Sequence, residues 1–209
     1  MRKIIFSIFL VLTFLCSCSK MSETAADWFD KAQALGDGEK YTNPEKAIEY
    51  LNNAIKLKPD DALAYNNRGA AYAELGQYQR AIEDYNEAIR LRPEDALAYN
   101  NRGIAYSELG QYQSAIEDYN KGIRLKPEDA LAYNNRGTAY NDIGQYQRAI
   151  EDYNKAIRLK PEDALAYNNR GLAYLIQGNS KLGCPDEQKA CALGDCKLLE
   201  FTKGKGLCR

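Results

Sequence analysis

The chain of 209 residues has no histidine, a single tryptophan and almost no net charge. The lack of histidine excludes Ser-His and Cys-His nucleophile pairs, histidine-ligated zinc or haem, and histidine acid–base catalysis. Its 28 basic residues are balanced by 29 acidic ones, so the basic surface typical of nucleic-acid binding is absent. The phosphate-binding, EF-hand and zinc-protease motifs are also missing. We therefore expect no catalysis, no cofactor or metal, no small-molecule substrate and no nucleic-acid partner.

The chain also lacks an apolar run long enough to span a membrane. The mostly apolar run of residues 4–15 follows Arg2 and Lys3. A helix of that length reaches about 18 Å, whereas the hydrocarbon core measures about 30 Å. Residues 1–17 are therefore predicted to be a signal peptide that is removed on export.

The end of this signal resembles the bacterial lipobox, because Leu15 and Ser17 precede Cys18 at the expected spacing. The resemblance implies lipidation of Cys18, with residues 18–24 as the lipidated cysteine and a tether, and a lipid bilayer as a partner through the acylated N-terminus. Ser19, where enteric lipoproteins retained at the inner membrane have Asp, favours the outer membrane, facing the periplasm. The alternative is an ordinary secretory signal and a secreted or periplasmic soluble protein.

The middle of the chain repeats with a period of 34 residues. Residues 62–95, 96–129 and 130–163 are identical at 26 of 34 positions, and a partial fourth copy begins at Ala164. In the first copy Tyr65, Gly69 and Tyr72 share one face of a helix, and Gly76 predicts its end. A second amphipathic helix follows. Such a helix pair cannot bury its own apolar faces, so the copies must stack.

This pattern resembles the tetratricopeptide repeat (TPR), whose signature is W-x2-L-G-x2-Y, then A-x3-F, then P. The resemblance implies an all-α, right-handed solenoid of helix-turn-helix units, to which the C-terminal cysteines add a disulfide-stapled C-terminal cap. The units are expected at residues 25–61 (divergent), 62–95, 96–129, 130–163 and 164–197 (degenerate), followed by the Cys-containing cap at 198–209. The matching residues of the first full copy are Tyr65, Arg68, Gly69, Tyr72, Ala81, Tyr85 and Pro93.

In this family, repeat positions 2, 5, 9, 12 and 13 line a concave groove that holds a peptide or helix of a partner protein. Positions 9, 12 and 13 are among the eight positions that vary between copies, and this variation favours a surface that recognises a partner. The alternative is random sequence drift at surface positions that tolerate change. We expect a row of Asn side chains able to bond an extended backbone, and acidic side chains that favour Lys or Arg in the partner. The expected groove residues are Leu63, Asn66, Ala70, Ala73, Glu74, Leu97, Asn100, Ile104, Ser107, Glu108, Leu131, Asn134, Thr138, Asn141, Asp142, Leu165, Asn168, Leu172, Leu175 and Ile176.

The last unit is apolar at these positions, with Leu172, Leu175 and Ile176. These side chains predict either a pocket for an apolar anchor of the partner or a face covered by the C-terminal segment. The unit also departs from the pattern: Gly183 replaces the buried Ala, Pro185 is expected to interrupt the second helix, and Glu187 replaces the Tyr.

Three further expectations concern packing. Arg68 and its equivalents are expected to pair with the acid of the same unit's second helix, as with Asp84, Asp118 or Asp152. Gly69 should let the second helix approach closely through Ala81. Gly122, where the other copies have Ala, should weaken one helix by up to about 1 kcal/mol.

Four cysteines fall within the last 26 residues, a pattern that predicts two disulfides in an exported protein. A zinc site of four thiolates is the alternative, although no C-x2-C spacing is present. Of three possible connectivities we prefer Cys184–Cys208 with Cys191–Cys196. A short helix over residues 197–203 that folds back after Gly194 would bring Cys208 to Cys184.

The sequence thus predicts a non-enzymatic scaffold or adaptor, anchored in the bacterial cell envelope, that binds a segment of another protein during envelope assembly, secretion or proteolysis. A self-associating structural envelope protein is the alternative.

Overall fold

The computed structural model describes residues 23–36 and 40–208. The predicted signal peptide and the predicted lipidation site Cys18 lie outside the described residues. Within the described part, every regular element is a helix. The helices are α1 (Ala25–Gln33), α2 (Pro44–Leu57), α3 (Ala62–Glu74), α4 (Tyr78–Leu91), α5 (Ala96–Glu108), α6 (Tyr112–Leu125), α7 (Ala130–Asp142), α8 (Tyr146–Leu159), α9 (Ala164–Ile176), α10 (Ser180–Ala192) and α11 (Lys197–Gly204).

Helices α1 to α10 form five antiparallel pairs, and each pair packs on the next. The first helices of neighbouring units, α3, α5, α7 and α9, also touch one another directly, so this side of the stack is its tighter, concave side. The expected all-α solenoid is confirmed.

The first helix of each full copy has an aspartate at its start and a glycine just after its end. The carboxylate of Asp61 accepts hydrogen bonds from the first backbone N–H groups of α3, and Asp95 caps α5 in the same way. Gly76 ends α3 with φ of 69°, a left-handed conformation that a side chain would strain.

The close packing within a unit places a glycine against a tyrosine ring, beside the buried alanine expected from the sequence (Ala81 and its equivalents Ala115 and Ala149). A Cβ atom at Gly69 would stand 2.7 Å from Cε1 of Tyr85, and one at Gly103 would stand 2.6 Å from Cε1 of Tyr119. Both rings are buried. The glycine therefore makes room for the ring of the second helix, which fills the core of the unit.

The predicted arginine–aspartate pairs are confirmed, and each arginine also reaches a third helix. Arg102 donates from Nε and Nη2 to the two carboxylate oxygens of Asp118, at 2.7 and 2.6 Å. Its Nη1 donates to Oδ1 of Asn86, on the second helix of the preceding unit, at 2.6 Å. The same fork is formed by Arg68, Arg136 and Arg170. The planar guanidinium can donate to an aspartate on one side and an asparagine on the other. Each arginine therefore links its unit to the preceding one.

The C-terminal cap, defined here as α10, α11 and residues up to Cys208, departs from the repeat. The expectation that Pro185 interrupts the second helix is wrong, because α10 continues through this residue. Pro185 lies near the start of the helix and is exposed to solvent, where one missing hydrogen bond is tolerated. Helix α11 then folds back onto α10, as predicted.

Two disulfides close the cap, Cys184–Cys208 and Cys191–Cys196, in the connectivity preferred from the sequence. Glu187, at the position of the core tyrosine, is fully buried and accepts a hydrogen bond from the Thr202 hydroxyl. Burial raises the pKa of this carboxyl.

None of the helices in the described ranges is long and apolar enough to cross a bilayer. The same ranges contain no group of His, Cys, Asp or Glu side chains arranged to hold a metal ion.

Candidate functional site

The concave side exposes a row of four leucines, one from the first turn of each of α3, α5, α7 and α9. These side chains are between 41% and 55% exposed to solvent, although a leucine is ordinarily found in the core. They occupy repeat position 2 of the expected groove: Leu63, Leu97, Leu131 and Leu165. The row gives the groove an apolar strip that a partner segment could cover.

The expected asparagine row lies beneath this surface. Asn66, Asn100, Asn134 and Asn168 are at least nine-tenths buried. Oδ1 of Asn66 accepts a hydrogen bond of 3.2 Å from Nδ2 of Asn101 in the next unit, and the same bond recurs twice along the stack. These side chains are therefore directed at the neighbouring repeat, and we call this series of bonds the amide ladder.

The ladder ends differently at its C-terminal end. Asn168 donates from Nδ2 to Oδ2 of Asp195, in the turn before α11, at 2.7 Å. No next repeat supplies an asparagine, and Oδ1 of Asn168 is buried without a hydrogen-bond partner among the described residues. The cap thus supplies an acceptor for Nδ2 of Asn168 but no donor for its Oδ1.

The variable positions 9, 12 and 13 lie on the same face, where all are at least partly exposed: Ala70, Ala73, Glu74, Ile104, Ser107, Glu108, Thr138, Asn141, Asp142, Leu172, Leu175 and Ile176. The side chains that differ between units thus lie beside the apolar strip.

The three carboxylates of position 13 are exposed. Glu74 accepts the backbone N–H of Tyr41 on both oxygens, at 2.9 Å each. Glu108 accepts a hydrogen bond of 3.2 Å from the Tyr78 hydroxyl. Partial burial raises the pKa of Asp142, and its hydrogen bond from Asn141 acts in the opposite direction. The middle of the groove therefore carries negative charge.

Two cavities lie at the N-terminal end of the groove. The first has a volume of about 330 Å³ and the second, which is more open, about 500 Å³. Both are bordered by Lys40 and Tyr41, from the turn between α1 and α2, and by Glu74. The remaining residues around the first cavity are Gln33, Gly36, Asn66, Asn67, Ala70, Leu97 and Asn101. The remaining residues around the second are Pro44, Ala73, Tyr78, Ile104 and Glu108.

At the C-terminal end of the groove, one of the three expected apolar side chains is packed and two are exposed. Leu175 packs against the second helix, because a Cβ atom at Gly183 would stand 2.7 Å from its Cγ. Leu172 and Ile176 remain 37% and 48% exposed. The cap therefore leaves these two side chains accessible, and they remain candidates for contact with a partner.

Sequence reasoning missed the residues that shape the first cavity. Tyr41 belongs to the turn that is longer in the first unit than in the others, and the backbone N–H of this residue anchors the turn to Glu74. Burial, with the nearby Glu74 carboxylate, raises the pKa of the Tyr41 hydroxyl. The sequence does show that this turn is longer than the others. It does not show that the turn folds over the N-terminal end of the groove.

Three family models of the tetratricopeptide repeat match the chain. One, described as TPR repeat, matches residues 43–76, 70–110 and 137–178, and two described as tetratricopeptide repeat match residues 96–129 and 118–151. The chain belongs to the tetratricopeptide repeat family. The fold of this family serves the binding of other proteins, and nothing in the described residues indicates catalysis. No protein with a curated description matches the chain.

Solved structures of TPR proteins are similar over most of the chain. MamA from Desulfovibrio magneticus RS-1, residues 41 to the end, has a TM-score of 0.74 and 26% identity, covering 83% of this chain and 96% of that one. A crystal structure of MamA protein has a TM-score of 0.69 and 29% identity, covering 87% and 92%. YrrB, described as a TPR protein with an unusual peptide-binding site, has a TM-score of 0.69 and 22% identity, covering 86% and 92%, and shows the shared fold alone.

Proposed function

We propose that this chain is a scaffold or adaptor of the bacterial cell envelope, anchored by a lipid on Cys18, that holds a peptide or helix of a partner protein in its concave groove. The observation that carries the proposal is the exposed leucine strip beside two cavities, on the face that carries the variable positions 9, 12 and 13. Exposed apolar side chains in a continuous row are typical of a protein-binding surface.

The position in the envelope is supported by the cysteine pattern. Disulfides persist in oxidising compartments such as the bacterial periplasm and are rare in the cytosol. The two disulfides of the cap agree with export, and the N-terminal residues resemble a lipoprotein signal. Two or more acyl chains on Cys18 would hold the protein at the membrane surface, most simply the periplasmic face of the outer membrane.

The test of groove binding is a crosslinking capture. The full chain, tagged at its C-terminus and purified in detergent, is incubated with envelope extract, crosslinked and analysed by mass spectrometry. A variant with Leu97→Glu and Leu131→Glu is compared with a control carrying Leu57→Glu, since Leu57 is equally exposed but belongs to α2, a second helix. We expect a partner captured by the wild type and the control and lost from the groove variant. Equal capture by all three would contradict groove binding.

The anchor is tested separately. Expression of the full chain and of Cys18→Ser in a bacterial host, followed by membrane fractionation and mass spectrometry of the N-terminal peptide, should show a lipid-modified Cys18 in the membrane fraction. The serine variant should lose the modification. An unmodified wild-type N-terminus in the soluble fraction would contradict the lipid anchor and favour the soluble periplasmic protein.

A further inference from the structure

The amide ladder has an open end at the first cavity. Each rung joins the position 6 asparagine of one unit to the position 5 asparagine of the unit before it, and three rungs of this kind are formed. Asn67 is the position 6 residue of the second unit, and the first unit has Phe29 at position 5. A phenylalanine offers no hydrogen-bonding group, so the rung that Asn67 would form is missing.

The described residues therefore supply no partner for the Asn67 amide. It is half-buried on the wall of the first cavity, and its side chain forms no hydrogen bond with any residue of 23–36 or 40–208. Asn66 and Asn101, the first complete rung, line the same cavity. Inside the ladder the corresponding amides bind another amide, and a peptide group offers the same donor and acceptor.

The charges around the two cavities favour a cation in the occupant. Glu74 and Glu108 are the anionic residues among their lining side chains, and Lys40 is the cationic one. The carboxylate of Glu74 accepts the backbone N–H of Tyr41, and a backbone N–H brings no compensating full charge. Leu97, at the first cavity, and Ile104, at the second, offer apolar contacts to the occupant.

We propose that the first cavity is the anchor point of the groove: Asn67 binds a backbone peptide group of an extended partner segment, and a lysine or arginine of that segment lies near Glu74 and Glu108. The partner strand thereby completes the missing rung of the amide ladder. This proposal rests on the proposed function, because it specifies which ligand the groove takes and where binding begins.

The test uses blocked nine-residue peptides of alternating Thr and Val whose central residue is Lys, Arg, Ala or Glu. Their binding to the full chain in detergent is measured by fluorescence anisotropy at two salt concentrations. We expect the Lys and Arg peptides to bind at least tenfold more tightly than the Glu peptide, with a preference that shrinks at high salt. Asn67→Ala should weaken the Lys peptide about tenfold and leave the melting temperature unchanged, since no bond of the folded chain is lost.

Asn135→Ala is the matched control. It removes the same residue type at the same repeat position, but breaks the rung to Asn100 and lies away from the cavities. It should lower the melting temperature and change peptide affinity less than twofold. A second variant, Leu131→Glu, probes the groove beyond the cavity.

The possible failures are distinguishable. If Asn67→Ala binds like the wild type while Leu131→Glu does not, the anchor point is overturned and groove binding stands. A Glu peptide that binds as tightly as the Lys peptide also overturns the anchor proposal. If the wild type binds none of the peptides, or if neither Asn67→Ala nor Leu131→Glu weakens binding, both the anchor point and groove binding of extended segments are overturned.

Discussion

The central units and the C-terminal cap solve the same packing problem in different ways. In the third unit the ring of Tyr119 fills the space above Gly103 and closes the core of the helix pair. In the last unit the equivalent space above Gly171 is bordered by Glu187. A buried carboxyl contributes less apolar area than a ring and costs free energy to desolvate. Within residues 23–36 and 40–208, disulfides occur only in the C-terminal cap. The helix pair of the last unit therefore keeps its place in the stack without the core tyrosine, in a region where two disulfides link its second helix to the residues that follow.

The largest expected effect comes from opening the cap. Replacing Cys184 and Cys208 by Ser removes a link of sequence separation 24, which costs about 3.5 kcal/mol in loop-closure entropy. We expect hydrogen exchange in α11 to become fast while exchange in α5 and α6 stays slow. The matched control replaces Cys191 and Cys196, whose separation of 5 predicts a loss of about 2 kcal/mol. Equal loss of protection in α5 and α6 would contradict a locally stapled cap.

The second test changes the same residue type in both regions. Gly103→Ala places a methyl group 2.6 Å from the buried ring of Tyr119, and overpacking of this kind costs about 1–3 kcal/mol. A Cβ atom at Gly171 would meet its nearest atom, the Gly183 carbonyl oxygen, at 3.1 Å, so Gly171→Ala should cost less than Gly103→Ala. Urea unfolding followed by circular dichroism measures both. A smaller loss for Gly103→Ala than for Gly171→Ala would refute the role assigned to the ring.

The third test concerns the buried carboxyl. Because burial raises the pKa of Glu187 above its ordinary 4.5, the folded cap binds its proton more tightly than the unfolded chain. This contribution to stability is complete below about pH 4.5 and is lost as the pH rises through the raised pKa. Glu187→Gln should therefore stabilise the cap by about 1 kcal/mol at pH 7 and hardly at pH 4. Thermal melts across this range check the prediction, and an equal effect at both pH values would be evidence against it.

The smallest effect is expected within the central units. A Cβ atom at Gly122 would meet its nearest neighbour, the Ala96 carbonyl oxygen, at 3.4 Å, an ordinary contact. Gly122→Ala should therefore raise the free energy of unfolding by up to about 1 kcal/mol, through helix propensity alone. Gly103→Ala serves as the opposite case, since the same change in the same unit should destabilise. A loss of stability in Gly122→Ala would show that the position is more crowded than its geometry indicates.

Much of the architecture follows from local sequence. The spacing of Tyr65, Gly69 and Tyr72 predicts the first helix of the unit, and Gly76 and Asp95 predict where helices end and begin. These features depend on backbone propensities and on side chains within a few residues, so a repeat of 34 residues contains them completely. The arginine–aspartate pairs were predictable for the same reason, because both partners belong to one unit.

Contacts between units and at the two ends were harder to predict. The asparagines of position 5 were expected to face a partner, yet Asn66 bonds to Asn101 of the next unit. The pairing depends on the rotation between units, which small packing differences determine. Likewise, the sequence shows that the turn between α1 and α2 is long. The hydrogen bond from the Tyr41 backbone to Glu74, and the cavity beside it, depend on how this turn packs on the next unit.

The sequence by itself therefore determined the repeat, its helices, the turns between them and which two helices form one unit. These features depend on periodicity and local conformation. The tertiary structure alone decided which side chains the groove leaves accessible. That choice depends on how one unit packs on the next: the stacking buries Asn66 beneath the groove and leaves the Asn67 side chain, at the first cavity, without a hydrogen-bond partner among the described residues.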